Sequence, residues 1–459
     1  MVVFYNPQKT QSVTKNVRQV VCEDLDINGK GLVRIDDKVC FVEGLVPQDV
    51  AKVTYTLGKN FSKKSNNLIN NLEVLKIISP SPLRRQGDCV HMDCCGGCPL
   101  QHINPKFLLE KKIAGLRRLF LKNLGVNLDE PAFVLESRDT CYRRACRLAV
   151  RIDHKKVILG FRESKSHNLV KLDRCLDLTD RINNAIADVL KVLNAFSLKG
   201  NIGHVEFLDS DGLLGIYVRI NGILLAHDED LLKNLGKKIN AVISVGESFK
   251  HEISGDDVTK ERVVYGNTEE LFVHALDCKI PCLPSSFVQI NKDINERLLK
   301  SVIDFIEPQE KMCVLDLFCG IGNFSFPLAS KMAKVVGVDI VSTMINNANL
   351  YASSLTDKQD ISFEIANLDE PFENQKWALT DYDAAVLDPG RSGAKRAVAY
   401  LAQKKIPKLA YISCNPQAAS RDLSDLIESG YKIVKFGVCD MFPRTAHVET
   451  VVLMTRHSE

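Results

Sequence analysis

The sequence predicts a multidomain chain, α+β in its first two parts and α/β in its last, and three observations predict it. Short β-branched runs separated by turn residues fill residues 13–78. A cysteine-rich knot and a basic helical stretch follow. From residue 284 to the end, apolar runs of strand length alternate with helical stretches. The chain's 459 residues exceed one ordinary domain, and the expected domains are 1–78, 79–283 and 284–459.

In the first part, Val17–Leu25, Gly31–Arg34, Val39–Val42, Asp49–Thr56 and Leu72–Ile78 read as strands. Asn28-Gly29 and Asp36-Asp37 supply turns between them. Five short strands in this length suggest a small OB-like β-barrel, a shape that often binds single-stranded nucleic acid. Gly58–Asn71 is an expected loop carrying Lys59, Lys63 and Lys64, and Ser79-Pro80-Ser81-Pro82 an expected linker.

Composition narrows the class. Hydrophobic content of 45% and charged content of 25% are those of a water-soluble globular protein. No apolar run approaches the roughly 18 residues of a membrane span, and MVVFYNPQKT lacks the plan of a signal peptide. A cytoplasmic protein with no membrane partner is expected. Net charge is only +3, but residues 1–88 carry 13 Lys+Arg against 9 Asp+Glu, and residues 105–165 carry 15 against 7. Such a front suits a polyanion such as nucleic acid, and equally a set of solvated basic faces. Fifteen cysteines, an odd number without a secretory signal, argue against a disulfide framework.

In the middle part, Cys89-x5-Cys95-x2-Cys98 has ligand-like spacing, and Gly96-Gly97 lets the chain wrap closely. A fourth ligand is needed, and thiolates suit either zinc or an iron–sulfur cluster. Cys94 is an extra candidate, and buried thiols without metal are the bland alternative. Pro105–Leu124 reads as a helix with Phe107, Leu108, Leu116, Leu119 and Phe120 on its apolar side and Lys111, Lys112, Arg117, Arg118 and Lys122 elsewhere. Arg143, Arg144, Arg147 and Arg151 fall in and beside the strand-like run Ala145–Ile152.

In the last part, Cys313–Leu317, Val335–Val338, Ala384–Leu387 and Leu409–Ile412 are the strands of an expected doubly wound parallel sheet. Val314–Phe324 reads as strand, glycine turn and helix start, with Pro327 in the helix's early turns. Asp339 ends the next strand, placed to accept hydrogen bonds from ribose hydroxyls. The glycine pattern is shorter than a dinucleotide fingerprint, and no Lys-Ser/Thr follows as in a P-loop. A nucleoside cofactor fits better than a pyrophosphate; a tight turn without ligand is the alternative. Two further strand ends carry Asp388-Pro389-Gly390-Arg391-Ser392-Gly393 and Ser413-Cys414-Asn415-Pro416. Ligands bind outside the carboxyl ends of such strands, which makes Cys414 a candidate nucleophile if its surroundings favour thiolate.

Together DLFCGIGNF, LDPGRSGA, ISCNP and His447-Val448-Glu449-Thr450 resemble the RNA uracil-C5 methyltransferase family. GKGLVRIDDKVCFVEGLVPQDVAKV resembles that family's TRAM domain, an RNA-binding barrel. The resemblance spans nearly the whole chain. TRAM domain plus cysteine cluster is most similar to the branch acting on 23S ribosomal RNA. It implies a Rossmann-like class I methyltransferase domain using S-adenosyl-L-methionine, behind an iron–sulfur-bearing middle domain. It assigns attack on uracil C6 to Cys414 and removal of the C5 proton to Glu449. Without it, Glu449 reads as an exposed residue near a terminal strand. It places cofactor contacts at Gln289, Phe318, Asn323, Asp339, Asn367 and Asp388, although Asp388 could instead orient the uracil. It makes Cys175 the fourth ligand beside Cys89, Cys95 and Cys98, and favours a [4Fe–4S] cluster of structural or RNA-positioning role.

The implied partner is 23S rRNA, not DNA, and the protein a monomer. A DNA cytosine-C5 enzyme would carry its nucleophile after the proline of the loop that here reads Asp388-Pro389-Gly390, which has no cysteine. The remaining alternatives are a tRNA or multi-site rRNA enzyme of the same chemistry and a noncatalytic iron–sulfur RNA-binding protein.

Overall fold

The computed structural model describes residues 15–58, 68–250, 257–355 and 359–456. Lys59, Lys63 and Lys64 of the expected basic loop lie outside the described residues. The chain divides into two compact units: Met1–Gly87 with Leu100–Gly115, and Asp88–Pro99 with Leu116–Glu459.

The first unit holds β1 (Asn16–Val21), β2 (Asp24–Leu25), β3 (Gly31–Ile35), β4 (Lys38–Val42), β5 (Val50–Gly58) and β6 (Leu68–Ser79). Among the described residues these form two three-stranded sheets, β1-β5-β6 and β2-β3-β4. The single expected strand Val17–Leu25 is broken because the chain changes partner: Cys22 N–H donates to Asp49 on one side and Glu23 N–H to Leu32 on the other. Asp36 and Asp37 both have positive φ, 49° and 61°, the backbone a two-residue hairpin turn requires. Alternation along β3 turns Val33 and Ile35 into a core with Val20, Val42, Leu45 and Val53. The expected linker is fastened rather than free. Ser81 is buried, and its N–H donates to the wholly buried Asp49 carboxylate, which Arg84 also grips at 2.5 Å.

The helix α1 (Pro105–Leu124) has the expected bounds, and the division between units falls within it. It is capped by Asn104, whose side-chain oxygen accepts from Lys106 and Phe107 N–H. Lys112, expected on its polar side, is buried.

The second unit continues with β7 (Phe133–Leu135), β8 (Ala145–Asp153), β9 (Lys156–Arg162), β10 (Leu169–Lys171), α2 (Asp180–Ala195), β11 (Ile202–Asp209), β12 (Leu214–Asn221), α3 (Ala226–Ile239), β13 (Ala241–Lys250) and β14 (Asp257–Tyr265). A seven-stranded sheet runs β10-β9-β8-β11-β12-β13-β14, antiparallel except where β12 lies parallel to β13. The apolar stripe of α2, including Ile182, Ile186, Val189 and Leu193, shares one core with the inward residues of this sheet.

After the hairpin of β15 (Phe272–Ala275) and β16 (Cys278–Pro281) come α4 (Lys292–Ile306), β17 (Cys313–Leu317), α5 (Ser325–Ala329), β18 (Lys334–Asp339), α6 (Ser342–Ser354), β19 (Ile361–Ile365), α7 (Lys376–Leu379), β20 (Ala384–Leu387), α8 (Lys395–Lys404), β21 (Lys408–Ser413), α9 (Pro416–Glu428), β22 (Tyr431–Cys439) and β23 (Glu449–Arg456). The second sheet has the order β19-β18-β17-β20-β21-β23-β22-β7. From β19 to β21 it is parallel, as expected; β23 then enters antiparallel between β21 and β22. The chain leaves β17 in one direction and returns on its other side at β20, so a crevice opens beyond the ends of these two strands. Two links join the middle region to this sheet. β7, from far upstream, pairs with β22 as its edge, and Tyr142, Leu208, Val242 and Leu271 belong to the same core as Leu298 and Val314. Shared burial makes one unit of residues that sequence reasoning divides at 283/284.

Candidate active site

The loop after β17 is shaped by its backbone. Phe318, Gly320 and Gly322 have φ of 64°, 57° and 89°. The left-handed region costs a non-glycine residue about 1 kcal/mol or more. At Gly320 a side chain would meet open space, whereas at Gly322 it would lie 2.8 Å from the Phe326 ring. Asp339, at the end of β18, accepts from Gly320 N–H at 3.0 Å and from Val341 N–H at 2.9 Å, tying the two strand ends together. Asn323 and Asn295 exchange two amide hydrogen bonds of 2.9 and 3.0 Å, linking the loop to α4.

A cleft lies against this loop. Gln289, Phe318, Asn323 and Asp388 line it together with Asn295, Phe287 and Gly320. Gln289 Nε2 donates to Asp388 Oδ2 at 2.9 Å. Asp339 and Asn367 are not in its lining. Asn367 follows β19, its side chain accepting from Asp369 N–H, while its neighbour Ala366 N–H donates to the Asp339 carbonyl.

Cys414 follows β21 and precedes α9. Pro416 stands in the first turn of α9, and Asn415 caps it, its side-chain oxygen accepting from Gln417 and Ala418 N–H. The Asn415 amide also donates to the Arg391 carbonyl at 2.8 Å, pinning the Asp388–Gly393 loop to the cysteine loop. Ser413 pairs with Thr450, so the next residues outward on the two antiparallel strands are Cys414 and Glu449. Glu449 is 8% exposed, against the exposed residue that the bare sequence suggests. Burial drives the electrostatics. It pushes the half-buried Cys414 thiol up to about 11, helped by Glu449 and Asp388 and opposed by Arg391. It raises the Asp388 carboxyl against the Gln289 hydrogen bond, and it raises Glu449, with the Asp388 charge adding to the shift. Each of the three acids thus disfavours ionisation of its neighbours.

Several residues here escaped sequence reasoning. Asp316 is wholly buried in β17 and accepts from Ser325 Oγ at 2.5 Å, while its second oxygen has no partner. Burial lifts it to about 7 against that hydroxyl, with Asp388 and Asp339 contributing. Its signal was an acid inside an apolar strand. Arg144, beside the strand-like run Ala145–Ile152, is buried and paired with Asp211 at 3.1 Å; Arg147 pairs with Glu206 at 2.8 Å. Arg144 and His274 also reach the cleft wall.

The cysteines of the knot are all free thiols, half-buried. Cys98 donates to Asp177 at 2.7 Å. Its pKa is raised to about 11, first by burial, with Arg444 opposing and Cys175, Cys95 and Cys89 adding. Cys175 is likewise raised by burial, with Cys89 and Cys95 contributing. The four expected ligands are therefore electrostatic neighbours. Among the described residues, however, no group of three or more His, Cys, Asp or Glu is arranged to hold a metal ion.

Residues 106–457 match the family model described as tRNA (uracil-5-)-methyltransferase. The chain is 30% identical to the 23S rRNA (uracil(1939)-C(5))-methyltransferase RlmD of Photorhabdus laumondii, covering 99% of this chain and 100% of that protein. It is 32% identical to the protein of the same name from Vibrio parahaemolyticus, covering 99% of each. Among solved structures, the Pyrococcus abyssi tRNA (uracil-54, C5)-methyltransferase in complex with S-adenosyl-L-homocysteine superposes with a TM-score of 0.68 at 22% identity, covering 95% of this chain and all of that one.

Proposed function

The chain belongs to the uracil-C5 RNA methyltransferase family, and on that premise we propose that it converts one uridine of 23S rRNA to 5-methyluridine with S-adenosyl-L-methionine. The observation that carries the chemistry is that Cys414 and Glu449 stand at the adjoining ends of the paired strands β21 and β23, with the cleft residue Asp388 as an electrostatic neighbour of both.

S-adenosyl-L-methionine supplies an electrophilic methyl group. Gln289, Phe318, Asn323 and Asp388 would hold it in the cleft, and Asp339 and Asn367 at the adjoining strand ends. The open space at Gly320 supports a ligand lying against the loop backbone. Uracil C5 is a weak nucleophile until C6 is saturated. The Cys414 thiolate bonds to C6, and the C5–C6 π electrons move onto the C4 carbonyl as an enolate. C5 then takes the methyl group as the sulfonium–carbon bond breaks, leaving S-adenosyl-L-homocysteine. The ionised Glu449 carboxylate removes the C5 proton, the C5–C6 double bond re-forms, and the C6–S bond breaks to release Cys414 as thiolate. Arg391, which opposes the rise of the Cys414 pKa, favours that thiolate.

Full-length relatives named for 23S rRNA favour that substrate over tRNA. The target base must be unpaired or flipped out to reach Cys414. Cys89, Cys95, Cys98 and Cys175 would hold a [4Fe–4S] cluster; Cys98 and Cys175 each have Cys89 and Cys95 as electrostatic neighbours, a closeness that suits that donor set. A cytoplasmic monomer, with neither DNA nor a membrane as partner, completes the reading.

Labelled methyl transfer to unmodified 23S rRNA and, separately, to tRNA tests it, with wild type beside Cys414→Ala. A single 5-methyluridine in 23S rRNA, absent with the variant, is expected. Activity on tRNA alone overturns the substrate, and no activity on either RNA overturns the enzyme. Cys98→Ser should lose iron; unchanged iron content overturns its ligand role.

A further inference from the structure

Residues 440–448 connect β22 to β23, and the Cys439–Glu449 pair closes this loop at its base. Within it, Thr445 Oγ1 donates to the Phe442 carbonyl at 2.8 Å and accepts from His447 N–H at 3.1 Å. The His447 ring meets Phe442 edge-on and places Nε2 3.5 Å from Arg391 Nη2. Arg444 is the outlier. It adopts φ 64°, a conformation unfavourable for a side-chain-bearing residue, and its side chain is 2% exposed.

The buried guanidinium is paired with Asp177, whose side chain is 6% exposed. Asp177 in turn accepts from Tyr142 OH at 3.4 Å, and Cys98 Sγ lies 2.7 Å from its carboxylate. Two charges withdrawn from water gain little over an apolar pair of the same volume. What such a pair does supply is direction: the fork of the guanidinium has few orientations that satisfy it. The loop is thus held at two places, by the strand pair at its base and by Arg444 near its middle. It carries Glu449 at one end and the His447 contact to Arg391 on the way.

We propose that Arg444 is a positioning residue: its buried pair with Asp177 holds the 440–448 loop so that Glu449 is aimed at the C5 proton, tying the cysteine-knot region to the elimination half of the reaction. The inference rests on the proposed role of Glu449 as base. It separates the two halves of the reaction, because Cys414 follows β21 and its own fastening runs through Asn415 to the Arg391 carbonyl, not through Arg444.

The test is single-turnover kinetics on the full-length protein with 23S rRNA, following the protein–RNA adduct on denaturing gels. Wild type, Arg444→Lys, Arg444→Met and Glu449→Gln are compared. Arg444→Met keeps an apolar filling of the site, and Arg444→Lys keeps the charge, so loss of folding in the first leaves the second decisive. The expected result is adduct formation within about twofold of wild type and adduct resolution about tenfold or more slower, with the lysine variant less affected than methionine. Resolution at the wild-type rate in both variants overturns the inference. So does equal slowing of formation and resolution, which a merely structural role would give. Glu449→Gln distinguishes the premise: normal resolution there overturns the base assignment, whereas slow resolution there beside normal resolution in both Arg444 variants overturns the positioning role alone.

Discussion

Cys414 and Glu449 each lie one residue beyond the last registered pair of β21 and β23, Ser413–Thr450, and are electrostatic neighbours. Strand pairing brings the proposed nucleophile and base to neighbouring strand ends, and the Glu449 charge adds to the rise of the Cys414 thiol. At alkaline pH, ionised Glu449 opposes formation of the Cys414 thiolate, which is why its removal should be visible at the thiol. Peptide-resolved alkylation of Cys414 against pH should give a midpoint near 11 in wild type and a lower one in Glu449→Gln. An unchanged midpoint would show the two groups to be electrostatically independent.

Asp316 makes a prediction about stability. Its folded pKa of about 7 lies above the ordinary aspartate value of 3.8, so the folded state holds an extra proton in between. Its contribution is fully present below the unfolded pKa and is lost as pH rises through 7. Asp388 and Glu449 are shifted in the same direction, so the comparison with Asp316→Asn isolates this one group. Wild type should lose on the order of 1–3 kcal/mol relative to Asp316→Asn between pH 5 and pH 8.5. Parallel denaturation curves at the two pH values would refute the burial argument.

In the first unit the sign reverses. Burial pushes the Asp49 carboxyl up, but the Arg84 guanidinium and the N–H groups of Ser81 and Val46 outweigh it and hold it below the usual range. The stability it contributes is present above the unfolded pKa and lost as pH falls through the folded one. Arg84→Met leaves a buried carboxylate without its cation, at a cost of roughly 2–4 kcal/mol at neutral pH. Urea titration should show that deficit shrinking as pH drops below 4; a constant deficit would assign it to packing.

The two loop glycines should separate. Gly322→Ala forces a side chain against Phe326 in an unfavourable backbone region and should lower the melting temperature by several degrees. Gly320→Ala meets no protein atom. It should cost the fold only about 1 kcal/mol while weakening S-adenosyl-L-homocysteine binding, measured by calorimetry, roughly tenfold or more. Equal stability losses in both would contradict the geometry.

The elements legible from sequence share a physical cause. β17 and β20 have their expected bounds because strands buried on both faces are continuous apolar runs. α1 does because its apolar spacing and its Asn104 cap are local. By contrast, β7 is three residues long, and only its partner β22, some 300 positions away, makes it a strand. The same holds for the site. Gln289, Phe318, Asn323 and Asp388, which the family resemblance implies as cofactor contacts, share one cleft, whereas Asn295 and Arg144, which complete its wall, are implied by nothing in the sequence.

By itself the sequence determined the order of strands and helices in the parallel sheet, the glycine loop and the loops bearing Asp388 and Cys414. Periodicity, turn chemistry and strand-end motifs are written in neighbouring residues. Only the tertiary structure decided that Glu449 is buried as an electrostatic neighbour of Cys414, that Arg144 is spent on Asp211, and that Arg444 is withdrawn to Asp177. Burial and charge pairing depend on partners distant in the chain, and a residue's ionisation follows from what folding packs around it.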